Sequence, residues 1–106
     1  MARKLLTKVL AKTIPALYAT DGLSEAEKTV PVKFFDPCGR GTWFVVEFDG
    51  EDTLFCWCVS PLGPDCDEFG YASLAELSAL RNRLGLPLER DEWWNPETTL
   101  EKAKAS

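Results

Sequence analysis

Glu47, Asp49, Glu51, Asp52, Asp65, Asp67, Glu68 and Glu76 all fall between Gly41 and Leu80, a stretch without a single Lys or Arg. Four thiols, Cys38, Cys56, Cys58 and Cys66, lie in or beside the same stretch. The chain has no histidine. Without an imidazole there is no Ser-His-Asp or Cys-His nucleophile and no His-based zinc site. Carboxylate, thiol, Lys and Tyr are the groups left for acid–base work.

Each set of residues admits a chemical reading and a plainer one. Glu47, Asp49, Glu51 and Asp52 gather around one Asp49-Gly50 turn, where paired acids or a divalent cation would find several hard oxygens. No D-x-D-x-D-G calcium loop is present, so the turn reads as a solvated one. Among the cysteines, the loops of Cys38 and Cys66 are expected at one end of a sheet, with Cys58 directed toward it. Cys56 shares a face with Cys58 by the two-residue period of a strand. Together the four could form a thiolate zinc site, or three of them a thiol-dependent active site. The usual C-x-x-C knuckle is missing, and unligated thiols, with no cofactor, are the favoured reading.

The charge is segregated. The first forty residues carry Arg3, Lys4, Lys8, Lys12, Lys28, Lys33 and Arg40 against Asp21, Glu25, Glu27 and Asp36. A one-signed surface steers association without dictating the fold. Glu47, Asp49, Glu51, Asp52, Asp65, Asp67 and Glu68 therefore form a candidate partner-binding surface. Trp93 and Trp94 join them, because exposed Trp is the residue most enriched at interface hot spots. The other reading of the four tryptophans is core filling. The net charge of −5 and pI near 4.7 argue against direct nucleic-acid binding, which draws its affinity from Lys and Arg on phosphates.

The elements that position these groups follow from spacing. The 106 residues suit one domain, 45% of them apolar and 27% charged. No apolar run approaches the roughly 20 residues of a bilayer span. Charge returns at Lys8, too soon after Met1 for a signal peptide, so a cytoplasmic protein is expected. Leu6, Val9, Leu10, Ile14 and Leu17 predict a helix capped by Thr7 and stopped near Ile14 by Pro15. Val30, Val32 and Phe34 alternate around Pro31 as an edge strand. In the next strand, Thr42 to Phe48, the alternation puts Phe44, Val46 and Phe48 on one face and Trp43, Val45 and Glu47 on the other. Thr53 to Val59 is apolar on both faces and belongs centrally. Phe69 to Ala72 is a short fourth strand. Ser73-Leu74-Ala75-Glu76 is a capping box opening a helix that runs to Leu84, closed by Gly85. Residues 86–91 look extended, and 97–106 read as a tail or frayed helix. The result is an α+β fold: an antiparallel meander of about four strands with two main helices on one face.

Leu5-Leu6-Thr7, Pro15-Ala16-Leu17-Tyr18-Ala19-Thr20, Val32-Lys33-Phe34-Phe35, Thr42-Trp43-Phe44, Glu47-Phe48-Asp49, Gly70-Tyr71, Ser73-Leu74-Ala75-Glu76-Leu77 and Gly85-Leu86-Pro87-Leu88-Glu89-Arg90-Asp91 follow one another in an order that resembles the bacterial domain of unknown function 2958 family. The resemblance runs from Leu5 to Pro96 and departs from the family pattern between Cys56 and Glu68. It implies a small cytoplasmic protein of the kind carried on plasmids, phages and integrated elements, and it supplies no catalytic residues. The expectation is a non-enzymatic, acidic binding protein that docks on a basic host nucleic-acid-handling protein, as an anti-defence inhibitor would. Whether it acts as monomer or dimer stays open, as does the alternative of a carboxylate or thiol enzyme at the Cys38, Cys58 and Cys66 end.

Overall fold

A computed structural model describes residues 4–105; Met1, Ala2, Arg3 and Ser106 lie outside the described residues. Five strands, β1 Val32–Phe35, β2 Thr42–Phe48, β3 Thr53–Val59, β4 Glu68–Ser73 and β5 Glu89–Arg90, form one antiparallel sheet in the order β4-β3-β2-β1-β5. The first four make the expected meander, with β3 inside it. The fifth is the Leu86–Asp91 extended segment, which returns to pair with β1 through Phe34 opposite Arg90 and Phe35 opposite Glu89. Strand β1 is therefore not an edge: β5 takes the outer place beside Phe34 and Phe35, and Pro31, just before the strand, is buried.

Three short helices, α1 Lys8–Ala11, α2 Leu74–Ala79 and α3 Leu100–Ala105, replace the expected two. Thr7 does cap α1, its hydroxyl accepting from Leu10 N at 3.2 Å, but the helix has a single turn and leaves Val9 in solvent. At the start of α2, Ser73 Oγ accepts from Glu76 N at 3.2 Å. The helix stops at Leu80, short of Gly85, because residues 81–87 fold into their own turn. Asn82 Oδ1 accepts from the amides of Leu84 and Leu86, and its amide nitrogen donates to Asp36 Oδ1 at 2.9 Å. Leu84, expected on the apolar face, is 72% exposed. The C-terminal segment is docked rather than frayed. Leu100 and Ala103 are buried against Val30 and Phe44, and Leu100 N donates to Lys28 O at 2.9 Å.

The sheet is covered on both faces. Leu5, Leu6, Ile14 and Leu77, with partly buried Leu10 and Leu74 of α1 and α2, pack on one face over Val32, Phe34, Val45, Leu54 and Cys56. On the other, α3 covers Phe44, with Trp57, Val59 and Trp94 at its margin. The cover extends only part of the way across this second face.

Candidate interaction surface

A bulge in β2 decides what the second face presents. Val45 lies opposite Cys56 and Glu47 opposite Phe55, so Val46 is the extra residue. The extra residue resets the two-residue alternation. Phe48 joins Val45 on the helix-covered face, and Glu47 moves to the face of Phe44 and Phe55. The expected assignment of these two side chains is thus reversed.

Glu47 does not belong to a solvent-facing acidic patch: it is 2% exposed. Its Oε1 accepts from Tyr18 N at 2.8 Å, and its Oε2 accepts from Thr20 N at 3.0 Å and from the Thr20 hydroxyl. Burial pushes its carboxyl pKa up, but those hydrogen bonds and the nearby Lys28 charge outweigh it and hold it below the ordinary value. A carboxylate sealed inside a protein needs such donors. Phe48 N adds a bond to Pro15 O at 2.9 Å. The Pro15–Thr20 segment thereby lies along β2 past Val45, beyond the point where β1 begins at Val32.

Tethered in this way, Tyr18 adopts φ +69°, a left-handed conformation uncommon for a bulky residue. Its phenol reaches that of Tyr71 on β4, and the two side chains are 63% and 57% exposed. The hydrogen bond with Tyr18 raises the Tyr71 phenol pKa, with smaller contributions from burial and the negative charges of Asp21 and Glu47. From Tyr71 an aromatic ladder crosses the outer sheet. Phe55 lies 5.1 Å from Tyr71 and stacks on Phe69 at 5.3 Å, and Phe69 meets the edge of Trp57 at 5.0 Å. Lys104 of α3 holds its ammonium 3.8 Å from the centre of the Trp57 ring, with Glu25 at 3.0 Å on its other side. Sequence reading places these rings in strands but does not single them out. The legible signal was that Phe55, Trp57, Phe69 and Tyr71 fall on one face of adjacent strands.

Most of the acids expected at this surface hold the backbone in place. Asp49 Oδ1 accepts from the amides of Glu51, Asp52 and Thr53, closing the β2–β3 hairpin. Asp52 accepts from Ser73 Oγ at 2.6 Å and Ala75 N at 2.8 Å, locking that hairpin to the start of α2. Asp67 pairs with both terminal nitrogens of Arg40 at 2.8 Å and accepts from Ser60 N, and Arg40 also donates to Ser60 O. The Arg40 hydrogen bond leads the causes that hold the Asp67 pKa down. Glu51, Asp65 and Glu68 are exposed, and their side chains make no hydrogen bond or ion pair among the described residues. They sit near the two ends of β4, so the cation-free stretch of sequence becomes the β4 half of the sheet.

The tryptophans divide. Trp94 is structural: its Nε1 donates to Val30 O at 2.7 Å, and its ring lies 5.7 Å from Phe44. Trp93 is 95% exposed. It stands on the rim of a cleft of about 490 Å³ beside β5, where Leu5, Phe35, Leu88 and Arg90 form the walls. Lys4, Glu89, Asp91 and Glu92 also line it, and none of the expected site acids or thiols is among its described lining residues.

The Arg40–Asp67 pair does bring the Cys38 and Cys66 loops to one end of the sheet, but the thiols do not form a site. Cys38 and Cys66 are exposed, Cys56 is buried in the core and Cys58 is half-buried. Among the described residues no group of three or more Cys, Asp or Glu side chains has the arrangement of a metal site. Burial pushes the Cys56 thiol far up and raises that of Cys58, with Glu68 adding to the latter. Neither is a ready thiolate nucleophile.

A family model of proteins of unknown function (DUF2958) matches residues 5–105. The chain belongs to this family. The match extends through α3, and the family's span contains both the Glu47–Tyr18 tether and the aromatic ladder. No curated protein and no solved structure matches the chain. Among the described residues no helix is long and apolar enough to cross a membrane.

Proposed function

We propose that the protein is a small, non-enzymatic binding protein of the host cytoplasm, carried by a mobile element, that docks its β4 half on a basic nucleic-acid-handling protein and blocks it. The observation that carries this reading is the surface around β4. Rings of Tyr18, Phe69 and Tyr71 are exposed side by side on a half of the sheet whose own strands have no cation, with Glu51, Asp65 and Glu68 open to solvent at its margins. An aromatic centre with an acidic rim suits a partner whose surface is built for phosphates. The buried Glu47 tether sets the Tyr18 wall of that centre before any partner arrives, which lowers the ordering cost of association.

The test is plasmid survival in a host with an active DNA-cleaving defence system. Expression of the native chain is expected to raise transformation. The variant Glu51→Lys, Asp65→Lys, Glu68→Lys, folded to the same stability, is expected not to. Equal plasmid loss with and without the native chain against every defence nuclease of its host overturns the proposal.

A further inference from the structure

The sheet has two ends, and only one is guarded. Strand β5 has two residues, and Arg90 folds back to donate to Leu5 O at 2.8 Å, so that edge offers no template. Strand β4 has six residues, Glu68-Phe69-Gly70-Tyr71-Ala72-Ser73, and pairs on one side alone. Among the described residues no other backbone group meets its outer row. Natural edges are blunted by Lys, Pro, bulges or shortness. This one has no Lys and no Pro, its pairing to β3 runs without a bulge from Thr53/Ser73 to Cys58/Glu68, and its only charge is Glu68.

We infer that β4 is a docking edge for an extended, basic peptide segment of a partner, which adds as a sixth strand with its Lys or Arg side chains over the Phe69 and Tyr71 rings. Main-chain bonds to the open row would supply affinity, and alternate side chains would supply selectivity. The charge argument favours a cationic strand. Phe69 and Tyr71 face the same side as Trp57, which already holds the Lys104 ammonium 3.8 Å from its ring centre, and Asp21 and Glu47 add negative charge beside Tyr71. On the opposite side of the strand, Glu68 is followed at the same-face positions by Gly70 and Ala72. The alternate, uncharged side chains of the added strand would lie on that side, so Glu68 contributes charge to the edge and not a direct pair. A second copy of this chain would bring another acidic β4, the wrong sign for the same edge.

This inference rests on the binding role proposed above and names what the partner must present. A synthetic eight-residue peptide alternating Lys and Val is the probe, titrated at low salt while amide hydrogen exchange is followed. The peptide is expected to slow exchange at residues 68–73 and to change Trp and Tyr fluorescence, whereas a Glu–Val peptide does neither. Phe69→Lys with Tyr71→Lys, both at exposed positions, is expected to weaken binding about tenfold or more, since cation–ring attraction is replaced by like charge. Glu68→Lys is expected to weaken it less. Protection of 68–73 without peptide that grows with protein concentration, equal binding of both peptides, or no protection at all overturns the inference. Peptide pairing can succeed while plasmid survival is unchanged, so failure of the defence reading and failure of the edge reading are told apart.

Discussion

Replacing Glu47 by Gln removes a charge and one acceptor from a site with three donors: Tyr18 N at 2.8 Å, Thr20 N at 3.0 Å and the Thr20 hydroxyl. In either amide orientation the new NH2 meets a backbone N–H, so at least one buried donor is left unpaired. Hydrogen bonds to charged groups contribute about 1.5–3 kcal/mol, and an orphaned donor costs about 1–3 kcal/mol. The sum allows roughly 2–4 kcal/mol once partial relaxation of the Pro15–Thr20 segment is included. That is a large share of the roughly 5–15 kcal/mol of a typical domain. With a urea m-value of about 2 kcal/mol/M, the midpoint should fall by about 1–2 M. Thr20→Val removes one donor and keeps the carboxylate, so it should cost less, about 1 kcal/mol.

The acid limb gives a second readout of the same site. The folded-state pKa of Glu47 lies below the ordinary 4.5, so the unfolded chain binds this proton more readily than the native one. Its contribution is complete above 4.5 and is lost as pH falls below that value. In Glu47→Gln this part of the acid sensitivity should disappear. A Gln variant that unfolds within about 0.2 M urea of the native protein, with unchanged acid sensitivity, would refute the tether as a structural device.

Three further outcomes are expected. Ser73→Ala removes the acceptor for Glu76 N and the donor to Asp52, and should destabilise the protein by about 0.5–2 kcal/mol in denaturant titration. Trp94→Phe keeps the ring on Phe44 but strips the donor from Val30 O, and should cost about 1–2 kcal/mol, whereas Trp93→Ala should stay within about 0.5 kcal/mol. Alkylation followed by mass spectrometry should modify Cys38 and Cys66 in the native protein and Cys56 only after unfolding, since Cys56 is buried and its thiol is pushed up; early labelling of Cys56 would contradict the packing.

Local chemistry determined much of this molecule from sequence: the α+β class, the meander of β1 to β4, the interior but not central place of β3, the Thr7 and Ser73 caps and the exclusion of imidazole chemistry. Each depends on a period, a cap or a missing residue type, which neighbours in sequence report directly. Tertiary structure decided the rest. Strand β5 forms because β1 offers a partner more than fifty residues upstream of it, which a two-residue strand cannot advertise. The single residue Val46 inverts the faces of Glu47 and Phe48, and a bulge leaves no mark in an apolar run. Acidity alone did not say which carboxylates face water. Glu47, Asp49, Asp52 and Asp67 are turned to backbone amides and Arg40, while Glu51, Asp65 and Glu68 remain outside. The burial of a carboxylate depends on donors brought by distant segments, and those meet only when the chain has folded.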